Sequence, residues 1–173
     1  VLDVGCGRDN LLKSLKNFGK EVCGVDYSNF AFENIHGKDI KVIKCPIWDM
    51  KEINEEFDLV TCFNLLHLIP MDKREISLKE LCKVCKKYLI FLVWCYKSSN
   101  DGHIVLIPEE NWVVNKDFFE KEKNDKLVSF ETREYWKNLI EENGFHEIEK
   151  GCYDTTDQNY FFVFEKNNGE ING

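Results

Sequence analysis

Apolar residues in this chain fall into short, nearly unbroken runs, and most of these runs are followed by a stretch with helical spacing. VLDV (1–4) precedes a helical pattern over 10–18. EVCGVD (21–26) precedes a short helix that opens near Ser28, whose hydroxyl suits an N-cap. DIKVIKC (39–45) and FDLVTCF (57–63) read as a third and a fourth strand. The segment 72–87 carries Ile76, Leu78, Leu81, Val84 and Cys85 near helical spacing, and YLIFLVW (88–94) reads as a fifth strand. Continuous rather than alternating apolar character marks strands covered on both faces. Strands alternating with helices predict a parallel sheet with right-handed crossovers.

Past residue 96 the pattern changes. Residues 97–130 read as a charged, loop-like insertion with apolar islands HIVLIP (103–108) and NWVV (111–114), while 116–126 suits a short helix or a solvated loop. ETREYWKNLIEENGF (131–145) reads as a helix with acid near its start and Gly144 just beyond its end. The runs 145–153 and 159–166 read as a closing strand pair, and 167–173 as a frayed tail. The expected organisation is one domain over 1–166, with 97–130 as an insertion or lid. The first residues already read as a core strand, which predicts a truncated N-terminus.

Composition narrows the function. The 173 residues suit a single domain. Lys and Arg total 23 against 31 Asp and Glu, a net charge of -8, which disfavours nucleic acid as a partner. The longest apolar run, 88–96, is far below the roughly 20 residues of a membrane helix, so no membrane is expected. The eight cysteines lie mostly in apolar strand-like stretches, as buried thiols do in a reducing, cytoplasmic compartment.

VLDVGCGRDN carries the chemistry. Gly5 and Gly7 follow a buried strand and precede a helix, where glycine permits positive φ and lets a ligand approach the backbone. The helix N-terminus behind them favours an anion. Asp26, at the end of the next strand and about 20 residues on, is placed to accept both hydroxyls of a ribose. A dinucleotide site of the form G-x-G-x-x-G would need glycine where Asn10 stands. Asp3, inside the first strand, stands where dinucleotide binders keep an apolar residue.

With VLDVGCG, then GVDYS (24–28), EFDLVTCFNLLHLIP (56–70) and FETREYWKNLIEENGF (130–145) in order, the chain resembles the class I S-adenosylmethionine (SAM) dependent methyltransferases, small-molecule type. The resemblance implies an α/β, Rossmann-like, doubly wound sheet of seven strands, order 3-2-1-4-5-7-6, the last strand antiparallel. It implies SAM as cofactor and a small-molecule acceptor. Gly5, Cys6 and Gly7 would wrap the methionine end. Asp3 would order that loop or reach the amino group indirectly. Asp26 would hold the ribose and Tyr27 would cover the adenine, with Ile47, Trp48 and Asp49 bordering it. The backbone around Cys62 and Phe63 would face the sulfonium amino acid, and Asn64 and His67 would line the acceptor side. Asp9 departs from the family where many members have a third glycine. Pro46 stands where many members have an adenine-contacting acid that follows a glycine.

Other chemistry is thinner. Cys82 and Cys85 form C-x-x-C on a predicted helix without a second pair, so core packing is expected and no metal. Asn64, His67 and, in the insertion, His103 are the candidate catalytic side chains, with no secure general base. Trp94, Tyr96, Trp112, Tyr135 and Trp136 are candidates for an aromatic pocket, Trp136 more readily for the core. The alternative function is a non-catalytic SAM-binding protein of the same fold.

Overall fold

The computed structural model describes residues 1–8, 10–35, 39–94, 103–106, 127–152 and 159–167. Nine strands and four helices follow in the order β1 (Leu2–Val4), α1 (Asn10–Asn17), β2 (Cys23–Asp26), α2 (Asn29–Ile35), β3 (Lys41–Lys44), β4 (Phe57–Phe63), α3 (Met71–Val84), β5 (Cys85–Trp94), β6 (His103–Leu106), β7 (Leu127–Phe130), α4 (Arg133–Glu141), β8 (Phe145–Cys152) and β9 (Asn159–Lys166) among the described residues. A 3₁₀ turn, Leu66–Leu68, joins β4 to α3.

Seven strands form one sheet in the order β3-β2-β1-β4-β5-β9-β8. The first five are parallel, and β9 runs antiparallel to both β5 and β8. Counting only this sheet's strands along the chain, the order is the expected 3-2-1-4-5-7-6 with the last strand reversed. Parallel strands need crossovers; α1, α2 and α3 supply three, and the segment 45–56 joins β3 to β4 without a helix.

Each face of the sheet has its own core. Leu2, Val60, Leu89, Phe91, Phe162 and Phe164 meet Leu78 and Leu81 of α3 and Trp136 and Ile140 of α4. Phe91 stacks on Phe162 at 4.8 Å between ring centroids and meets Trp136 edge-on. Opposite, Leu12 of α1 and Ala31 and Ile35 of α2 close on Val42, Ile40 and Cys6. Ser28 caps α2 as expected, its Oγ accepting from Ala31 N at 3.2 Å. Thr132 does the same for α4 through Tyr135 N at 3.1 Å.

Three expectations are corrected. The helix read over 72–87 stops at Val84 and passes directly into β5 at Cys85. The C-x-x-C pair therefore does not share a helical face: Cys82 is helical, Cys85 begins the strand, and both are buried. The periodicity failed here because Cys85, Lys86 and Lys87 satisfy a helical wheel as well as an edge of β5. Secondly, 97–130 is not loop throughout. His103–Leu106 and Leu127–Phe130 pair antiparallel as a separate two-stranded sheet, because two short apolar islands satisfy each other's backbone groups. Finally, the helix read over 131–145 spans only Arg133–Glu141, with Gly144 beyond it at φ +85°. The segments 116–126 and 168–173 lie outside the described residues, as do Asp9, Cys95, Tyr96 and Trp112.

Candidate cofactor and acceptor site

All five parallel strands end on one edge of the sheet, and the chain turns there at each strand end. After β1 the backbone enters positive φ at Gly5 (+78°) and Gly7 (+50°). The N–H groups of Gly5 and Cys6 both donate to Val25 O, at 2.7 and 3.1 Å, which folds the loop over β2. A Cβ at Gly5 would sit 2.8 Å from the Leu65 side chain, so glycine is required there for space as well as for φ. Among the described residues a Cβ at Gly7 would meet only the Gly5 carbonyl, at 3.8 Å.

Asp26, the last residue of β2, fastens this loop. Its Oδ2 accepts from Gly7 N at 2.9 Å and its Oδ1 from Ser28 N at 2.8 Å. A carboxylate oxygen has two lone pairs, so both oxygens keep capacity for a further donor.

Asp3 lies one step inside, 5% exposed. The register puts it between Gly24 and Thr61, and Thr61 Oγ1 donates to its Oδ1 at 2.7 Å. Burial pushes the Asp3 carboxyl up to about 6, against the opposing effect of the Thr61 bond, and the Asp26 charge adds to the rise. Thr61 does not stand out in the sequence. Its one signal there is its place in FDLVTCF, in the strand that borders β1.

Gly24 is a second such residue. A Cβ there would lie 2.7 Å from Cys6 Sγ and 2.9 Å from Leu12 Cδ1. Overpacking of this kind costs about 1–3 kcal/mol. Gly24→Ala is expected to lower unfolding free energy in urea by that amount, and Cys6→Ala in the same chain to recover part of it. Equal stability of Gly24→Ala and the parent protein would disprove this account of the site.

Around the loop stand exposed aromatics. Tyr27 is 47% exposed just past β2, and Phe30 near the start of α2 lies under the Arg8 guanidinium at 6.0 Å. Ile47 is buried in the larger core, so only its backbone is available at the edge; Trp48 packs against that core from a half-buried position. Asp49 N donates to Pro46 O at 3.0 Å, which closes a turn, and its carboxylate pairs with Lys51 at 3.0 Å.

Phe63 and Trp94, at the tips of β4 and β5, are each 37% exposed. Phe63 pairs with Leu92, and Trp94 is two residues farther on, so both aromatics belong to one face. Asn64 follows at φ +56°, its N–H donating to Leu92 O at 2.8 Å. Cys62 is fully buried, leaving only its backbone to the edge.

His67 sits in the 3₁₀ turn, buried and stacked on Trp94 at 5.6 Å. Its Nδ1 accepts from Trp94 N at 3.5 Å. Burial, and then the Arg74 charge, push the imidazole down to about 4. The ring is neutral at physiological pH, which makes it a poor general base. His103 lies in β6, and its side chain is outside the described residues. Tyr135 is half-buried, and Trp136 is fully buried in the core.

Arg74 carries no signal in the sequence. In MDKREIS it looks like one more solvated charge of a helix start, yet it is 1% exposed. It donates to His67 O at 3.1 Å, to Ile69 O at 3.0 Å and to Glu131 Oε1 at 2.9 Å.

Burial pushes the thiols of Cys6 and Cys62 far up, that of Cys82 up to about 12 and those of Cys45 and Cys85 up to about 11. They are protonated and unreactive at neutral pH. Among the described residues no group of His, Cys, Asp and Glu is arranged to hold a metal ion. No helix among them is long and apolar enough to cross a membrane.

A parallel doubly wound sheet with a glycine loop and a carboxylate at the next strand tip defines a class of nucleoside-binding proteins. Residues 1–88 match the family model described as a methyltransferase domain, and the chain belongs to that family, whose members use S-adenosylmethionine. No curated protein matches the sequence. Solved structures share the fold at low identity. An S-adenosylmethionine-dependent methyltransferase from Clostridium acetobutylicum ATCC 824 is 16% identical, over 96% of this chain and 83% of that one, at TM-score 0.69. The 1,6-didemethyltoxoflavin-N1-methyltransferase of Burkholderia thailandensis, solved with its substrate and S-adenosylhomocysteine, is 16% identical over 96% of this chain and 70% of that one, also at TM-score 0.69. Magnesium protoporphyrin IX methyltransferase from Synechocystis PCC 6803, solved with SAM, is 16% identical over 95% and 68% of the two chains at TM-score 0.64. The chain is an S-adenosylmethionine-dependent methyltransferase.

Proposed function

We propose that this methyltransferase moves the methyl group of SAM to a small-molecule acceptor held over the tips of β4 and β5. The observation that carries this is Asp26 at the tip of β2, which clamps the glycine loop through Gly7 with each oxygen engaged once and left able to accept again. That remaining capacity suits the two hydroxyls of a ribose. Gly5, Cys6 and Gly7 border the methionine end, with Asp3 beneath them. Tyr27 gives adenine an exposed ring to stack on, and Trp48, Asp49 and the backbone of Ile47 flank it. The backbone of Cys62 and Phe63 faces the amino acid end. Asn64, Phe63 and Trp94 form the acceptor wall.

Bound SAM supplies an electrophilic methyl on a sulfonium leaving group, so the chemistry asks little acid–base work of the protein. The residues named here orient the two reactants and shield them from water. His67, neutral and engaged by Trp94 N–H, contributes shape rather than proton transfer. A net charge of -8 argues against a nucleic-acid acceptor, and the buried thiols suit the cytoplasm.

The test uses SAM labelled on its methyl group, mixed with the protein and a metabolite extract. Label is expected in a small-molecule fraction. Binding of S-adenosylhomocysteine without any transfer would instead establish a non-catalytic SAM-binding protein.

A further inference from the structure

The turn that carries Asn64 and His67 has no regular ladder of its own. It connects β4 to α3 and lies at the base of the acceptor wall. Two of its carbonyls, His67 O and Ile69 O, are held by one side chain, the guanidinium of Arg74, reaching back from the first turn of α3. The same guanidinium pairs with Glu131, which directly follows β7 and precedes α4. The indole of Trp136 lies 5.8 Å away on the α4 side. Arg74 thus joins three pieces of chain: the turn after β4, the foot of the β6–β7 hairpin and the start of α4. Through His67 the linkage reaches Trp94, because the imidazole stacks on the indole and accepts from its backbone N–H.

A single guanidinium is suited to this. Its donors lie in one fixed plane, and a lysine ammonium cannot meet two carbonyls and a carboxylate with the same geometry. Taking a charge to 1% exposure is costly unless its hydrogen bonds are made. A cation near the start of a helix does not favour the helix, so its burial here calls for a role beyond the helix itself.

We propose that Arg74 is a positioning residue for the acceptor half of the site. It fixes the turn carrying Asn64 and His67, and through His67 the Trp94 ring, against the foot of the β6–β7 hairpin. It leaves the cofactor half, built on Asp3, Gly7 and Asp26, untouched. This rests on the acceptor wall assigned above.

The experiment compares the parent protein with Arg74→Lys and Glu131→Gln. Three readouts are taken well below the melting point. They are S-adenosylhomocysteine affinity by calorimetry, transfer of labelled methyl into the acceptor fraction at varied amounts of that fraction, and amide hydrogen exchange by segment. In Arg74→Lys, S-adenosylhomocysteine affinity is expected within about twofold of the parent, while the acceptor amount giving half-maximal transfer rises at least about tenfold. Exchange is expected to speed up together over 64–70 and 127–132 in both variants, and to stay unchanged over 1–8 and 23–28. Unchanged transfer in Arg74→Lys overturns the proposal, as does a parallel loss of cofactor affinity. If the parent protein itself transfers nothing, the methyl-transfer reading falls, and the exchange data decide the Arg74 linkage. Faster exchange confined to 127–132 in Glu131→Gln would then overturn it.

Discussion

Replacing Asp3 with asparagine is expected to stabilise the ligand-free protein at pH 8 by about 3 kcal/mol and to change little at pH 4. Burial raises the Asp3 carboxyl from 3.8 to about 6, the Thr61 bond opposes that rise and the Asp26 charge adds to it. A group whose folded pKa lies above its unfolded value binds more protons when folded, so stability falls as pH climbs through that window. The loss begins near pH 4 and is complete somewhat above pH 6. Each tenfold weakening of the acid on folding corresponds to about 1.4 kcal/mol. Asparagine carries no charge and still accepts the Thr61 hydroxyl. For a chain of this size each kcal/mol moves the melting temperature by about 2–4 °C, so melting curves taken from pH 4 to pH 8 resolve the effect. The same variant is expected to bind SAM more weakly, because the proposal sets Asp3 beneath the loop that borders the methionine end. Melting temperatures of the two proteins that stay parallel across this range would sink the assignment.

Asp26→Ala is expected to weaken S-adenosylhomocysteine binding by at least about tenfold, measured by calorimetry. Charge-assisted hydrogen bonds contribute about 1.5–3 kcal/mol each, and about 1.4 kcal/mol is already tenfold in affinity. Removing this side chain has two consequences. It deletes the acceptors that the proposal assigns to the ribose, and it releases Gly7 N–H and Ser28 N–H, which it holds at 2.9 and 2.8 Å. Asp26→Asn keeps an acceptor for one of them and is expected to fall between the parent and alanine. Full affinity in Asp26→Ala would remove this carboxylate from the nucleoside site.

The order of elements was legible along the chain because burial on both faces writes itself as uninterrupted apolar runs. FDLVTCF coincides with β4 (Phe57–Phe63), and the glycine loop sits where VLDVGCG placed it. Helix ends were less legible. Val84 and Cys85 have the same apolar character on either side of a change from helix to strand, and no glycine or proline marks the boundary. The pairing of β6 with β7 was missed because His103–Leu106 and Leu127–Phe130 stand far apart in a charged stretch, where neither run indicates its partner.

Local pattern determined the fold class and the residues of the loop, since periodicity and glycine placement are properties of neighbouring positions, and the family entered through a resemblance of ordered segments. Tertiary structure alone decided which groups answer one another across the chain. Thr61 meets Asp3, Cys6 and Leu12 crowd Gly24, and Arg74 turns inward to two carbonyls and Glu131. Such pairings join residues as many as 58 positions apart, or start from a helix turn that reads as solvated. Their energy comes from desolvation and hydrogen-bond geometry, which no linear spacing records.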